Sequence, residues 1–294
     1  MVDCQNWAAD SRQSCITVGR IGCVYAEGMK RHVGVILVSV LALTGCSWFG
    51  TAPSPTSTYT DARGESVTVD WVDYPAYAGY DGEALLGSVD QTDIEPAARE
   101  LIRDVQAAIT GASGRQMTSV QSEGDWFSDE NWFVHDDNGY GGESLLVTVN
   151  CCELSTASVP DPEQWQSVLD AASDVTVAAG LGPLALHQYG QEPGSDAADS
   201  KEYRDRFCTL ADGGCWFWSA KAFDGVQWVD VFIEDATLDP TGEAATWAEY
   251  DDGQHARIWV SYGATVVRSG QADEYARAIQ PFLGLETPES TTSD

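Results

Sequence analysis

Basic residues are scarce in this chain. Its 294 residues include 15 Lys and Arg against 46 Asp and Glu, so the formal net charge is −31 at pH 7. Because binding to a phosphate backbone depends on Lys and Arg, this composition argues against nucleic acid as a partner. Long apolar runs are also missing. None reaches 18 residues, so no ordinary membrane-spanning helix is predicted. Hydrophobic residues nevertheless make up 43% of the chain, which is enough for a packed core.

The short motifs of common enzyme classes are missing as well. The sequence has no His-Glu-x-x-His zinc motif and no Gly-x-Ser-x-Gly nucleophile elbow, and no Gly-rich phosphate loop follows a predicted strand. The acidic stretch His135–Gly139 resembles a calcium loop, but Tyr140 would occupy its fifth position and carries no carboxylate. We therefore interpret it as a hairpin turn and predict no catalytic residue, no metal site and no cofactor.

The most informative segment is residues 29–45, which begin at an internal methionine. A basic opening, Met29 to His32, precedes the apolar run Val33–Leu43, which is about half the length that crosses a bilayer. A basic start, a short apolar segment and small residues before a boundary are typical of a secretory signal peptide.

The boundary itself is the tetrapeptide Leu43-Thr44-Gly45-Cys46, with Leu at position −3, a small residue at −1 and Cys at +1. It resembles the lipobox of bacterial lipoproteins. The resemblance implies that Cys46 carries a diacylglyceryl thioether and becomes the first residue after cleavage. We therefore expect an extracytoplasmic protein that is anchored to the cell membrane through lipid on Cys46, since two acyl chains anchor stably.

Residues 1–28 precede this complete signal peptide and contain Cys4, Cys15 and Cys23. We expect Met29 to be the true start and residues 1–28 to be a gene-prediction artefact. The alternative is a genuine cysteine-bearing extension, although these cysteine spacings match no zinc pattern.

The remainder is predicted to be one folded domain between two flexible ends. Residues 46–65 hold the lipidated cysteine and a tether rich in Pro, Ser and Thr, and residues 288–294 form a disordered polar tail. Residues 66–287 form a single α+β domain. The alternative is two domains, with residues 190–200 as the best internal linker.

Alternating apolar residues predict the strands of this domain, and helical periodicity predicts its helices. The fold class is α+β, with a mostly antiparallel sheet and about three helices packed on one face. The predicted strands are Val67–Val72, Trp132–His135 paired with Ser144–Asn150, a meander over Tyr203–Leu238, and Arg257–Val267. The predicted helices are Asp93–Ile109, a second that opens at Asp161, and Asp273–Leu283.

Four cysteines remain in the domain, namely Cys151, Cys152, Cys208 and Cys215. An even number in an extracytoplasmic compartment favours disulfides. Because a bridge between adjacent cysteines is rare, we expect Cys151 and Cys152 each to join one of Cys208 and Cys215. The alternative is a four-cysteine zinc site. Its geometry is poor, since adjacent residues of a strand point to opposite faces.

Aromatic residues are the best candidates for ligand binding. Trp126 and Trp132 cluster before one hairpin, and alternation places Trp216 and Trp218 on a shared strand face. Stacked Trp beside Asp suits the recognition of sugars or peptides if that face is open to solvent. The alternative is that both faces are packed. Three tyrosines in a Gly-rich loop, Tyr74, Tyr77 and Tyr80, form a second contact surface or else plug the core.

The lipobox, the tether, the Asp-Gly turns and the closing segment from Ala264 to Phe282 together resemble small actinobacterial lipoproteins such as the LppA-like group. The resemblance implies a location and no mechanism. We therefore favour a binding module for a ligand or protein partner at the cell envelope over an enzyme. The alternatives are an envelope hydrolase that uses paired carboxylates and a non-catalytic scaffold or accessory subunit.

Overall fold

Nine strands and five α-helices occur in the residues that the computed structural model describes, which are 53–186, 197–210, 214–251 and 253–292. The predicted signal peptide and lipobox, Cys46 included, lie outside these residues, and so does part of the predicted linker 190–200. Within the described ranges, no helix combines the length and apolar character that a membrane span requires.

The strands and helices have the following bounds. The strands are β1 (Thr56–Thr60), β2 (Ser66–Asp70), β3 (Met117–Ser119), β4 (Trp132–Val134), β5 (Leu146–Thr156), β6 (Ala185–Leu186), β7 (Phe217–Phe223), β8 (Gln227–Asp235) and β9 (Ala256–Val267). The helices are α1 (Ile94–Ser113), α2 (Trp165–Ala178), α3 (Ala197–Phe207), α4 (Glu243–Asp251) and α5 (Ala272–Ala278).

Seven of the strands form one antiparallel sheet in the order β3-β5-β9-β8-β7-β6, with β4 also paired to β5. Strands β1 and β2 form a separate antiparallel pair. This architecture confirms the predicted α+β class with a mostly antiparallel sheet. A short hairpin joins β7 to β8, whereas α3 lies between β6 and β7 and α4 lies between β8 and β9.

One face of the large sheet carries the main hydrophobic core, and we call it the core face. Alternate residues of β8 and β9, such as Val231 and its cross-strand partner Val260, are buried there. Helix α2 covers this face, because the Trp165 ring packs edge-on against Trp218 of β7 at 5.6 Å. Helix α1 packs beside α2 and adds Ile102 to the same core.

Helix α1 follows the predicted periodicity but extends further than predicted. Its apolar residues recur every three or four positions, so one stripe is buried, as an amphipathic helix requires. Asp93 directly precedes the helix, although its side chain makes no capping hydrogen bond. The helix continues through Gly111 and ends at Ser113. The capping residue that follows, Gly114, has a φ of 65°, in the left-handed region that favours glycine at a C-terminal cap.

Both ends predicted to be flexible contain ordered structure. Within the predicted tether, β1 pairs with β2, and the Trp71 indole N–H donates to the Ser57 hydroxyl at 2.9 Å. In the predicted tail, the Pro288 carbonyl accepts a hydrogen bond from the Tyr140 hydroxyl at 2.7 Å, and the Thr292 hydroxyl bonds to Asp137. Folded structure therefore extends beyond the predicted limits of 66 and 287.

The predicted meander over Tyr203–Leu238 is correct only for its second part. Strands β7 and β8 form a hairpin around Asp224 and Gly225, as predicted. The first part is helical instead, and forms α3. Tyr203 and Phe207 lie one turn apart on this helix, and their ring centroids are 4.7 Å apart. Residues at this spacing are neighbours on a helix and not on a strand.

Candidate functional site

The four tryptophans predicted to bind ligand are used mainly in packing. Trp126 is fully buried, and its indole N–H donates to the Ser119 hydroxyl at 3.0 Å. Trp216 is 6% exposed and belongs to a small cluster with Ala236 and Ala244. Buried indoles with these contacts stabilise the fold and offer little surface to a ligand.

Trp132 and Trp218 are partly buried against the main core. Trp218 packs on Trp165, whereas Trp216 lies in the separate small cluster just before β7. The predicted shared face of Trp216 and Trp218 is therefore corrected. Alternation from one strand residue to the next does not apply across the start of β7, which begins at Phe217.

Aromatic side chains do gather on the other face of the sheet, away from the core face. Phe217 on β7, Phe232 on β8 and Trp259 on β9 are each partly exposed, and we call this group the aromatic face. Phe232 and Trp259 are directly opposite in the strand register, and their rings stack at 4.6 Å with an interplanar angle of 16°. The Phe217 ring lies 6.1 Å from Phe232 and 5.9 Å from Trp259.

Charged side chains border these rings. The Arg257 guanidinium carbon lies 4.7 Å from the Trp259 ring centroid, within the range of a cation–π contact. Arg257 Nε lies 3.7 Å from Glu234 Oε2, and both side chains are less than one-fifth exposed. Because the pair is partly removed from water, its charges interact more strongly than exposed charges do.

Helix α3 forms one side of the aromatic face. The Phe207 ring at its C-terminal end lies 4.8 Å from Phe217. The disulfide between Cys208 and Cys215 joins the end of this helix to the residues before β7. Covalent attachment therefore keeps α3 beside the rings.

At the opposite end of this sheet surface, Trp228 lies across Gly263 of the neighbouring strand. A Cβ at Gly263 would overlap the indole ring, so only glycine allows this close approach. The Lys221 ammonium lies 6.0 Å from the indole centroid and 3.5 Å from Asp230 Oδ1. The surface thus carries two ion pairs, one at each end of its aromatic rings.

The disulfides differ from the predicted pairing. Cys151 is bridged to Cys152, and Cys208 to Cys215. The order of the sheet explains the correction, because β8 and β9 separate β5 from β7 and keep the two cysteine pairs apart. In β5, the register shifts between Cys151 and Leu154, and Cys152 has a φ of 69°, so adjacent cysteines depart from regular strand geometry there.

The three tyrosines of the Gly-rich loop differ in burial: Tyr74 lies in the core, whereas Tyr77 and Tyr80 lie nearer the surface. Tyr74 is buried, donates to the Tyr80 carbonyl and accepts from the Gly82 N–H, both at 3.0 Å. Burial raises the pKa of Tyr74 to about 12. Tyr77 and Tyr80 are partly exposed and pack around the His135 ring at 5.3 and 6.2 Å. Of the two predicted roles, a contact surface or packing over the core, Tyr74 therefore has the second.

Asn138 organises the acidic turn at His135–Gly139. The Asn138 side-chain oxygen accepts from the N–H groups of Tyr140 and Gly142. No group of three or more metal-ligating side chains converges within the described residues. This geometry supports the interpretation of the stretch as a turn.

The pKa values of Asp70 and Asp239 are both lowered. A hydrogen bond from Ser54 and the Val72 N–H lower the pKa of Asp70. Burial opposes ionisation of Asp239, but the Ala244 N–H and the Thr241 hydroxyl and N–H outweigh it and lower its pKa. A lowered pKa keeps a carboxylate charged, whereas a general acid needs a raised one.

Sequence reasoning placed Phe232 on the second face of β8 but missed Trp259 and Arg257. Both lie on β9 next to the buried residue Ile258, so alternation alone puts them on the face opposite Ile258 and Val260. The strand register is the missing information, because it brings Phe232 and Trp259 together across two strands.

Comparisons of the chain with protein-family models, with curated proteins and with solved structures gave no match.

Proposed function

We propose that this protein is a lipid-anchored lipoprotein of the cell envelope whose domain binds a ligand or a protein partner through the aromatic face. The observation that supports the binding role is the group of partly exposed rings on the sheet surface opposite the core, with Phe232 stacked on Trp259. Exposed clusters of this kind are typical of contact surfaces, since they leave apolar area in water.

The charges beside the rings suggest the chemistry of the ligand. Rings offer apolar area and stacking, while Glu234 and Arg257 offer an acceptor and a donor at the edge of that area. We therefore favour a ligand that has an apolar or planar body and a polar group, such as a cell-wall fragment, a sugar or a short peptide. The lowered pKa values of Asp70 and Asp239 do not favour the hydrolase alternative.

The binding role is tested by a thermal-shift screen of the mature, oxidised protein with cell-wall fragments, sugars, short peptides and divalent metals. A ligand that binds only the native state raises stability by about 2.7 kcal/mol at a hundredfold excess over Kd. We expect one class to raise the melting temperature, and expect Trp259→Leu to abolish the shift. The matched control is Phe223→Leu, an aromatic that is 52% exposed at the end of β7. Equal shifts in both variants would contradict the assignment to the aromatic face.

The anchor is tested separately by replacing Cys46 with Ala. Because the thioether forms on the Cys46 sulfur, the variant should be released from membranes or accumulate as unprocessed precursor. Fractionation followed by immunoblotting measures both outcomes. Cleaved protein that remains in the membrane fraction would refute the lipid anchor without affecting the binding proposal.

A further inference from the structure

Strand β4 leaves backbone groups free at the edge of the large sheet. Phe133 is opposite Thr148 of β5, and the His135 N–H donates to the Leu146 carbonyl at 3.3 Å. Antiparallel pairs alternate between residues that bond to the partner strand and residues that face away. The N–H and C=O of Val134 therefore point away from β5, and no group among the described residues bonds to either.

Large apolar side chains are exposed at the same edge. Phe133 is 66% exposed and Val134 is 40% exposed. Folded proteins usually protect a free edge with charges, proline or a covering segment, because an unpaired edge accepts another strand. An exposed aromatic beside unpaired backbone groups instead favours strand addition.

A cavity with acidic walls lies immediately before β4. Its volume is about 540 Å³, and its seven lining residues include Asp125, Asp129 and Glu130. None of these three carboxylates forms an ion pair within the described ranges. The sequence from Gln116 to Ser200 contains no Lys or Arg, so β3, β4, β5 and α2 contribute no positive charge to this edge. Two arginines of α1 approach the segment before β4, but each is already paired with a glutamate, Arg99 with Glu95 and Arg103 with Glu123.

We propose that the β4 edge is a docking site for an extended, basic peptide segment of a protein partner. The segment adds as a strand that bonds to the Val134 N–H and C=O, which is the recognised mode of β-augmentation. Its apolar side chains contact Phe133, and its Lys or Arg side chains lie against Asp125, Asp129 and Glu130. Charge complementarity of this kind steers association and selects the partner.

Charge also argues for this occupant over a second copy of the chain. Edge-to-edge pairing of two copies would place two acidic cavities together in a protein with a net charge of −31. Like-charge juxtaposition of this sort opposes association. The site is distinct from the aromatic face, which lies on β7, β8 and β9. Failure of either proposal therefore leaves the other intact.

The test uses the mature protein and a fluorescent peptide of alternating Lys and Val, with an alternating Glu and Val peptide as the control ligand. We expect anisotropy to report binding of the Lys peptide alone, with an affinity that falls as salt rises. Val134→Pro removes the outward N–H and leaves the bonds to β5 intact, because Pro is tolerated at a strand edge. It should weaken binding by about tenfold or more, equivalent to about 1.4 kcal/mol.

A matched pair of charge variants separates a local site from general attraction to an acidic protein. The triple variant Asp125→Asn, Asp129→Asn, Glu130→Gln should weaken binding by about tenfold. The control triple variant changes the same net charge at exposed acids elsewhere, namely Glu163→Gln, Asp174→Asn and Glu286→Gln, and should stay within about twofold. Equal losses in both variants would overturn the proposal.

Hydrogen exchange keeps the test decisive if the proline variant unfolds. Pairing with an added strand should slow exchange of the Val134 amide when the Lys peptide binds to the unmodified protein. An unchanged exchange rate at saturating peptide, or binding of the Glu peptide, would also overturn strand addition at this edge.

Discussion

Asn138 joins its own loop to the segment from Trp71 to Tyr74, and its replacement by Asp should be strongly destabilising. The residue is fully buried. Its side-chain nitrogen lies 3.1, 3.0 and 2.8 Å from the carbonyl oxygens of Trp71, Val72 and Tyr74. Its side-chain oxygen accepts from two N–H groups of its own loop. Asn138→Asp preserves the size of the side chain and replaces the donor with an oxygen.

The expected loss follows from these contacts. The substituted carboxylate faces three carbonyl oxygens, so the donor bonds are lost and a charge is buried without a partner. Each net hydrogen bond contributes about 1 kcal/mol, and an uncompensated buried charge costs about 3–5 kcal/mol. We expect a loss of about 4 kcal/mol at pH 7. For a domain of this size, that loss lowers the melting temperature by about 8–16 °C.

The pH dependence gives an independent check. Burial among carbonyl oxygens raises the pKa of the substituted carboxyl above its unfolded value of about 3.9. The carboxyl therefore takes up a proton more readily in the folded variant than in the unfolded chain. The variant's loss of unfolding free energy, relative to the unmodified protein, is complete above the folded-state pKa. This loss of unfolding free energy should shrink as the pH falls towards about 4, because the protonated carboxyl has an O–H group that can donate a hydrogen bond.

Urea titrations at pH 7 and near pH 4 measure both effects. The matched control is Asn150→Asp at an exposed position of β5, where we expect a change within about 0.5 kcal/mol. A loss below about 1 kcal/mol in Asn138→Asp at pH 7, or an equal loss at the two pH values, would refute the role assigned to this side chain.

Three further perturbations test the packing around the site. Replacing Cys208 and Cys215 by Ser opens a bridge between residues seven positions apart, so the chain-entropy relation predicts a loss of about 2.5 kcal/mol in urea titrations; a loss near zero would contradict it. Burial raises the pKa values of Tyr74 and Tyr140 to about 12 from an ordinary value near 10. The two neutral tyrosines therefore contribute fully to the stability of the folded protein below about pH 10, and this contribution is lost as the pH rises towards 12. Phenolate absorbance should rise together with unfolding. Phenolate signal from these residues in the folded protein below pH 10, isolated by Tyr→Phe variants, would oppose this. Gly263→Ala should displace the Trp228 indole and cost about 1–3 kcal/mol, as measured by thermal melting and tryptophan fluorescence; unchanged fluorescence would argue against the contact.

Local patterns predicted the elements whose own residues carry a strong period. Helix α1 and strand β9 both appear where the apolar spacing placed them, because each buries a regular stripe or face. The hairpin of β4 and β5 was also predicted, and its register is now established. Helix α3 was missed, because its sequence is polar and its few apolar contacts are aromatic.

The structure of the two polar terminal segments was harder to predict, because composition does not show which residues a segment contacts in the folded protein. Strand β1 has the Ser and Thr content of a tether, yet it pairs with β2. The final residues have the composition of a frayed tail, yet Pro288 accepts a hydrogen bond from Tyr140. In each case the partner is another part of the chain, and only folding brings it close.

The sequence by itself determined the excess of acidic residues, the α+β class and the presence of enough aromatic residues for a core and a second cluster. It also carries the lipobox-like tetrapeptide that ends at Cys46. These properties belong to single residues or to short windows, so they can be identified without knowing which segments meet.

Only the tertiary structure decided which cysteines pair and which rings share a surface. Sheet order separates Cys151 from Cys208, and strand register places Phe232 against Trp259. Both features depend on contacts between residues that are far apart in the chain. The strand register that produces these contacts is set by the burial of one sheet face beneath α1 and α2.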